Sequence, residues 1–376
     1  METRIEHQSS SIDDGRNINP AIGTLSGEAA GQLTLSSKYD IALHSKSFPY
    51  VPSQQDRTSP TYYETPMLKQ PVWIWSIPAY FYVGGVAGVG ATLGAAVQLV
   101  APREMRSLVL KSRWVATAGG AVSAALLIHD LGRPARFLNM LRVFRITSPM
   151  SMGSWILTVF STAAGAATVL PFGPALFRPL ANIFGVIAGL LGLGLSGYTG
   201  VLISQTAVPV WQQAYRTTPV LFLASGAAAA ASFFEFFDLN KKEAATVERF
   251  GLMGKIVELG ATVAMEADAR RIERVGRPLK EGLSGTLWQT AKALTIASAI
   301  ISLVPGTSRP KRVVAGILGS AASICLRFGV YYAGKASTRD PRASFEQQRQ
   351  TGAPRVDPSH EGATQTREAP LVPITQ

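Results

Sequence analysis

The sequence predicts an all-α integral membrane protein, with eight transmembrane helices between two disordered polar tails. Of its 376 residues, 47% are hydrophobic and only 16% are charged. Ser, Thr, Pro, Gln and charged residues collect in residues 1–70 and 336–376, without a sustained apolar period, and this composition is typical of disorder. Residues 71–335 form the predicted membrane domain. Their apolar runs of about 17–28 residues match a hydrocarbon core about 30 Å thick, and such runs must be helical because lipid leaves no backbone partner.

The predicted spans begin or end at residues typical of membrane boundaries. Trp73 and Trp75 are interface anchors at the start of the first span, and Pro102 ends it. A basic loop precedes the second span, which stops before Gly132 and Pro134 because glycine caps helices and proline cannot continue them. The third, fourth and fifth spans are sustained apolar runs, the sixth is interrupted by charge, and the last two are apolar again. The eight spans are residues 72–100, 114–128, 152–170, 180–203, 219–237, 250–265, 287–304 and 313–332.

Eight spans place both termini on one side of the membrane. The loops on the two sides carry nearly equal numbers of Lys and Arg, so the positive-inside bias is close to zero. Lys335, Arg339 and Arg342 follow the last span and favour termini in the cytoplasm.

The composition also excludes several classes of function. The net charge of +12 does not indicate nucleic-acid binding, because Lys and Arg lie in short loops where anionic lipid headgroups explain them. Cys325 is the only cysteine, and His129 is the only one of four histidines at membrane depth. The chain therefore lacks the ligands for its own iron–sulfur cluster, a cysteine-based zinc site or a bis-histidine haem in the bundle.

Charged residues in the middle of a span are costly and need a reason. Glu258 lies about halfway along the sixth span and three residues after Lys255, a spacing that permits an ion pair. Glu258 is thus either part of a neutralised pair that locks helices or a carboxylate that carries protons. Glu235 lies near the end of the fifth span and can reach the interface.

Two tyrosines are candidate ligands for a flat carbonyl compound. Tyr198 lies in the run SGYTG, where glycines thin the helix and leave room beside a phenol that can donate a hydrogen bond. Tyr80 follows Pro78 at a predicted bend in the first span. The alternative for each is a hydroxyl that donates to a nearby backbone carbonyl, as polar groups in lipid usually do.

His129 and Asp130 end the second span. They either relay protons between water and a buried site, since histidine titrates near neutral pH, or simply complete the helix terminus. The residues alone indicate a membrane protein with a polar pocket and do not identify a reaction.

Four longer stretches carry a resemblance to known proteins. They are DLGRPARFLNMLR continued by TSPMSMGSW (residues 130–155), SGYTGVLISQTAVPVW (196–211), PVLFLASGAAAA (219–230) and RFGVYYAGKASTRDP (327–341). The first resembles the signature loop of the NrfD/polysulfide reductase membrane-subunit family, and the others are similar to its later spans. The resemblance covers about residues 72–341.

This resemblance implies eight helices in two four-helix bundles in the cell's inner (cytoplasmic) membrane, and exchange of electrons with the quinone pool. It implies a ferredoxin-like iron–sulfur subunit as partner, a molybdopterin catalytic subunit beyond it, and no haem. In the polysulfide reductase branch an Asn and a His on the first span, and a Tyr further along, contact the quinone head. This chain has Ile77 and Tyr80 at the first two positions, and Tyr198 is the candidate for the third.

The chain is therefore expected to be a membrane anchor subunit of a respiratory-type oxidoreductase complex, without a redox centre of its own. Tyr80 and Tyr198 are expected to bind the quinone or quinol. Glu258, His129 and Asp130 are expected to move the accompanying protons. The alternative is a proton-translocating or structural membrane module without quinone turnover, which the missing Asn and His favour.

Overall fold

The computed structural model describes residues 68–306 and 308–352, and every regular element in those ranges is a helix. Eight of these helices have 18 residues or more. We number them α1 to α8: Ser76–Val100, Arg106–Asp130, Pro149–Val169, Phe177–Ser204, Thr217–Phe234, Lys241–Arg270, Gly282–Leu303 and Arg309–Ser337. Shorter helices and 3₁₀ turns lie at Ala135–Met140, Leu170–Phe172, Pro209–Gln213, Glu273–Gly276, Arg277–Leu279 and Pro341–Gly352.

Five of the long helices, α1, α3, α4, α5 and α8, are long and apolar enough to cross a membrane. This confirms the predicted class of all-α integral membrane protein with several spans. The helices α2, α6 and α7 are of similar length, but none of them contains an 18-residue stretch as apolar as those of the other five. Their membrane crossing remains a prediction.

The helix α6 extends well beyond its predicted span of residues 250–265, over 30 residues. It begins with a capping box, in which the Asn240 side chain accepts a hydrogen bond from Glu243 N and the Glu243 carboxylate accepts one from Asn240 N. The same carboxylate accepts a bond from Leu108 N at the start of α2, at 2.9 Å. Local capping and packing therefore keep polar residues helical where an apolar pattern predicts a loop.

Within the predicted C-terminal tail of residues 336–376, the structure describes the end of α8 and the helix Pro341–Gly352. The extent of disorder in this tail remains a prediction. Packing holds this helix in place, since Gln347 Nε2 donates a hydrogen bond to Pro209 O at 3.2 Å. Residues 1–67 and 353–376 of the two predicted tails lie outside the described residues.

The long helices pack as two groups of four. In the first group α1 contacts α2 and α4, and α3 contacts both α2 and α4. In the second group α5 contacts α6 and α8, and α7 contacts the same two helices. The groups join where α1 and α4 pack against α5 and where α1 meets α8. We call the side on which α1 begins and α8 ends the terminus side, and the opposite side the loop side.

The helices α1 and α4 run antiparallel in close contact. A Cβ on Gly88 would lie 2.4 Å from Gly192 O, and a Cβ on Gly192 would lie 2.1 Å from Gly88 O. Beside this crossing Thr92 Oγ1 donates to Gly189 O at 2.7 Å. Small residues thus let the two backbones approach, as is typical of helix packing in membranes.

Replacing Gly88 with alanine is expected to destabilise the fold, because the new methyl group would overlap a backbone carbonyl that cannot rotate away. Overpacking of this kind costs roughly 1–3 kcal/mol. The measurement is thermal loss of monodisperse protein in mild detergent. The control is Gly260→Ala in α6, where a Cβ meets no atom within 4 Å. Equal stability of the two variants would contradict the close crossing.

Candidate functional site

The structure brings together the two tyrosines singled out from the sequence. Tyr80 on α1 is 1% exposed, and Tyr198 on α4 is partly buried against it. Their hydroxyl groups form a short hydrogen bond to each other, although 118 residues separate them in the chain. Neither hydroxyl bonds a backbone carbonyl in the described part of the chain, which was the alternative for both.

Three glycines shape the surroundings of Tyr198. A Cβ on Gly153 of α3 would lie 2.0 Å from the Tyr198 ring, so the ring fits only because that position has no side chain. A Cβ on Gly197 would meet no atom within 4 Å, whereas one on Gly200 would lie 2.6 Å from Pro219 Cα. Consecutive helical residues point in different directions, and Gly197 shares its face of α4 with the exposed Leu190 and Leu193, so the open space at Gly197 lies on the outer side of the helix.

A cleft of about 520 Å³ opens on the terminus side of the tyrosine pair. Val201, one helical turn after Tyr198, and Pro219 of α5 line it. Most of the other lining residues are polar, among them Ser204, Gln205, Gln212, Gln213, Tyr215 and Arg271. The volume lies within the range of small-molecule sites, about 300–1,000 Å³.

Asp130 lies at the same end of the first bundle as the tyrosine pair. Its Oδ1 accepts hydrogen bonds from Ile74 N at 3.1 Å and from Ser76 Oγ at 3.3 Å. Ser76 is one helical turn before Tyr80, so Asp130 fixes the beginning of the helix that carries this tyrosine. The neighbouring His129 is exposed, and its ring lies 5.6 Å from that of Trp75.

Glu258 lies in the second bundle, apart from the tyrosines. Its side chain is buried, and Oε1 accepts a hydrogen bond from Thr295 Oγ1 of α7 at 2.9 Å. Lys255 is also buried, but its Nζ donates to Ser302 Oγ at 3.0 Å. Within the described residues Lys255 and Glu258 form no ion pair, so the pairing that their spacing permits does not occur. Each instead binds a hydroxyl group on α7.

Arg327 of α8 is a buried charge that the sequence interpretation did not single out. It is 1% exposed, its Nη2 donates to Phe222 O at 2.9 Å, and its guanidinium lies 4.0 Å from the centroid of the Phe222 ring. The sequence feature that could have identified Arg327 is its charge inside an apolar span, because charged residues in such spans are usually functional or paired. Arg327 interacts electrostatically with Glu258 without forming a direct ion pair in the described part of the chain.

The fold and these buried polar groups define a multi-pass helical membrane protein with polar residues inside two helix bundles. A family model described as polysulphide reductase, NrfD, matches residues 64–337. The chain therefore belongs to the NrfD family, which confirms the resemblance. It is 27% identical to the C subunit of polysulfide reductase from Wolinella succinogenes, over 43% of this chain and 56% of the relative. The protein thus spans just over half of that relative's length.

Asp130→Ala is expected to loosen the beginning of α1, because Ile74 N–H and the Ser76 hydroxyl lose their common acceptor. Leaving a buried donor unpaired costs about 1–3 kcal/mol. The measurement is amide hydrogen exchange in residues 74–80. The control is His129→Ala, which removes an exposed ring and is expected to change stability by less than about 0.5 kcal/mol. Similar exchange in both variants would contradict the anchoring role of Asp130.

Proposed function

We propose that this protein is the membrane subunit of a respiratory-type oxidoreductase complex that exchanges electrons between the quinone pool and an iron–sulfur partner. Membership of the NrfD family supports a membrane subunit of a reductase. The observation that carries the proposal is the hydrogen-bonded pair Tyr80–Tyr198, with a cleft one helical turn away.

The tyrosine pair suits a carbonyl ligand. When one hydroxyl donates to the other, a single O–H remains to donate to a further acceptor, and this bond is strengthened by the first. A quinone supplies two-electron, two-proton redox chemistry when it is bound. The hydroxyl pair would orient its carbonyl oxygen and hold a proton beside it. Ile77 contributes only an apolar surface, so the tyrosine hydroxyls would replace the Asn and His of the polysulfide reductase branch.

The proposed proton-transfer residues fall into two places. Asp130 and His129 lie at the terminus-side end of the first bundle, within reach of water. Glu258 lies in the second bundle and would act as an internal proton store. The electrons must pass to or from a partner, because one cysteine cannot ligate an iron–sulfur cluster. A ferredoxin-like iron–sulfur subunit, with a molybdopterin subunit beyond it, would supply those centres.

We further propose that all eight long helices cross the inner membrane, including α2, α6 and α7. In α6 the buried face carries Lys255, Glu258 and Glu266, whereas the exposed residues between 253 and 267 are all apolar. This pattern is the reverse of a helix at a water-exposed surface, where the charged face points outward. The exposed residues of α2 between 110 and 128 are likewise apolar, as are those of α7 from 293 to 303.

The membrane crossing of these three helices predicts which positions avoid water. In a Cys325→Ala background, Val122→Cys, Ile256→Cys and Ile296→Cys are expected not to react with a water-soluble maleimide in opened membranes. The control is Glu104→Cys in the exposed loop between α1 and α2, which should react fully. Rapid labelling at any of the three helix positions would exclude that helix as a span.

Tyr198→Phe is expected to weaken quinone binding and quinone-linked electron transfer while the complex still assembles, because only a hydroxyl group is lost. One hydrogen bond contributes about 0.5–1.5 kcal/mol, which corresponds to roughly a 2- to 12-fold loss of affinity. Tyr80→Phe should have a similar effect, and the double variant should lose little more, since the two hydroxyls act as a unit. The measurements are quinone affinity, membrane abundance and rate in native membranes. Normal quinone affinity in all three variants would contradict the assignment of Tyr80 and Tyr198 as quinone ligands.

A second candidate function is a proton-translocating or structural module without quinone turnover. The observation that favours it is the row of buried polar groups in the second bundle. Glu266 there accepts hydrogen bonds from Trp288 Nε1 at 2.6 Å and Lys292 Nζ at 2.5 Å, two helical turns beyond Glu258. Quinone content of the protein purified in mild detergent distinguishes the two candidates, because only the first requires a bound quinone.

Glu258→Gln separates the two roles considered for this carboxylate. An amide keeps the size and the hydrogen bond to Thr295 but cannot carry a proton, so turnover should fall more than quinone affinity. The control is Thr295→Val, which removes the hydrogen bond and keeps the carboxylate. Reduced abundance of Glu258→Gln with unchanged activity per molecule would instead indicate a structural carboxylate.

A further inference from the structure

The loop-side end of the second bundle contains five charged side chains that are largely buried. Glu235, Lys255 and Arg312 are at most 6% exposed, and the side chains of Glu248 and Lys311 are 18% and 11% exposed. Glu235 follows the end of α5, Glu248 and Lys255 lie on α6, and Lys311 and Arg312 lie near the start of α8. We call these five residues the loop-side charge cluster. Buried charges in a membrane protein are costly and usually have a function.

Close helix packing brings the members of the loop-side charge cluster together. A Cβ on Gly251 of α6 would lie 2.7 Å from Ala231 Cβ, and a Cβ on Gly316 of α8 would lie 3.2 Å from Glu235 Cβ. The end of α5 is therefore held between α6 and α8. Side chains lean towards the N-terminus of their own helix, and α5 and α6 run antiparallel, so Glu235 and Lys255 lean towards each other. The two side chains interact electrostatically.

The loop-side charge cluster has one positive charge too many when every member is ionised, because it contains three basic side chains and two carboxylates. One ion pair is direct, since Lys311 Nζ lies 2.5 Å from Glu248 Oε1. Glu235 is the remaining carboxylate, and it interacts electrostatically with both Lys255 and Arg312. Neither of these two cations forms a direct ion pair with Glu235 among the described residues, where its Oε2 also has no hydrogen-bond partner.

The charged groups around the cluster do not remove this excess. Arg309 and Asp238 form an ion pair with each other at 3.1 Å, and both side chains are mostly exposed to the surface. Glu258, three residues after Lys255, interacts more strongly with Arg327 than with Lys255. Each of these two pairs therefore balances its own charge.

Lys255 is the member of the cluster that can remove the excess charge by releasing a proton. Arg312 keeps its charge, because arginine is not deprotonated in proteins. Lys311 Nζ is held by its ion pair and by backbone carbonyls, among them Gly306 O at 2.8 Å. Lys255 is 0% exposed, and in the described part of the chain its Nζ donates only to Ser302 Oγ, at 3.0 Å. A neutral amine retains N–H groups, so it keeps this hydrogen bond and leaves no unbalanced charge in the bundle.

We propose that Lys255 is a proton-carrying residue, a neutral amine in the resting protein that takes up a proton from the loop side and passes it to Glu258. The amine nitrogen binds the proton and becomes an ammonium, the Glu258 carboxylate accepts that proton, and the amine is restored. The two residues are three positions apart on one face of α6, so rotation of the lysine side chain brings its nitrogen from Ser302 towards the carboxylate. Glu235 stabilises the ammonium form, and the partly exposed Glu248–Lys311 pair lies between the cluster and loop-side water. The inference deepens the role proposed for Glu258 and rests on the proposed function for its part in turnover.

The charge of Lys255 can be measured without quinone. The experiment is solid-state ¹⁵N NMR of the full chain with ¹⁵N-labelled lysine, in lipid bilayers at neutral pH. Amine and ammonium nitrogens have different chemical shifts, so one amine signal is expected beside the ammonium signals. The amine signal should be absent from Lys255→Met and Lys255→Arg. It should be present in the control Lys242→Met, which removes an exposed lysine of the same helix. A native spectrum with ammonium signals alone would overturn the proposal, as would an amine signal that persists in both Lys255 variants.

The second experiment measures quinone affinity and quinone-linked turnover of the assembled complex. Lys255→Arg keeps a positive charge that cannot be released, so turnover is expected to fall by roughly 100-fold, the lower end of what positioned proton transfer contributes. Quinone affinity should not change, because the tyrosine pair lies in the other bundle, and Lys242→Met should behave as the native protein. Native turnover in Lys255→Arg would overturn the proton-carrying role. If the native complex shows no quinone-linked turnover, the proposed function fails, whereas the NMR signal still decides whether Lys255 is neutral.

Discussion

The close approach of α1 and α4 is the contact on which most of the other features depend. It is possible only because Gly88 and Gly192 have no side chains, so their backbones lie in direct contact. Two helical turns further towards the terminus side, the same antiparallel register places Tyr80 opposite Tyr198. The contact also sets α1 deep enough in the molecule for Gly85 to reach α5 and α8. Backbone contact thus determines both the tyrosine pair and the interface between the bundles.

The two bundles divide the polar residues into two kinds of site. The first bundle contains uncharged hydroxyl groups in an apolar setting, with Asp130 anchoring the helix start beside them. The second contains buried charges, of which Lys255, Glu258 and Glu266 each have a hydroxyl or indole partner on α7. The proposed division of roles, with a redox ligand in the first bundle and proton storage in the second, follows this separation of polar groups. Arg327 lies at the boundary and contacts Phe222 of α5, which packs in turn on Phe81 of α1.

The helix α6 illustrates why average hydropathy is a poor guide for a helix inside a bundle. Its charges lower the average, yet those in its middle lie on the buried face, where Thr295 and Trp288 of α7 bind them. The face that remains exposed there is as apolar as that of the five apolar long helices. Whether a helix can lie in lipid depends on the polarity of its exposed face, because the inward face contacts protein instead of lipid.

The sequence by itself determined the membrane class, the approximate position of the long helices and the family, since length, apolar runs and the extended signature loop are local properties. It also drew attention to Tyr80 and Tyr198, one by a predicted bend and one by its flanking glycines. It did not determine that Lys255 and Glu258 bind separate partners, because an i, i+3 spacing says nothing about hydroxyl groups on α7. Only the tertiary structure decided which polar groups meet, since the Tyr80–Tyr198 bond and the surroundings of Arg327 join helices more than 100 residues apart.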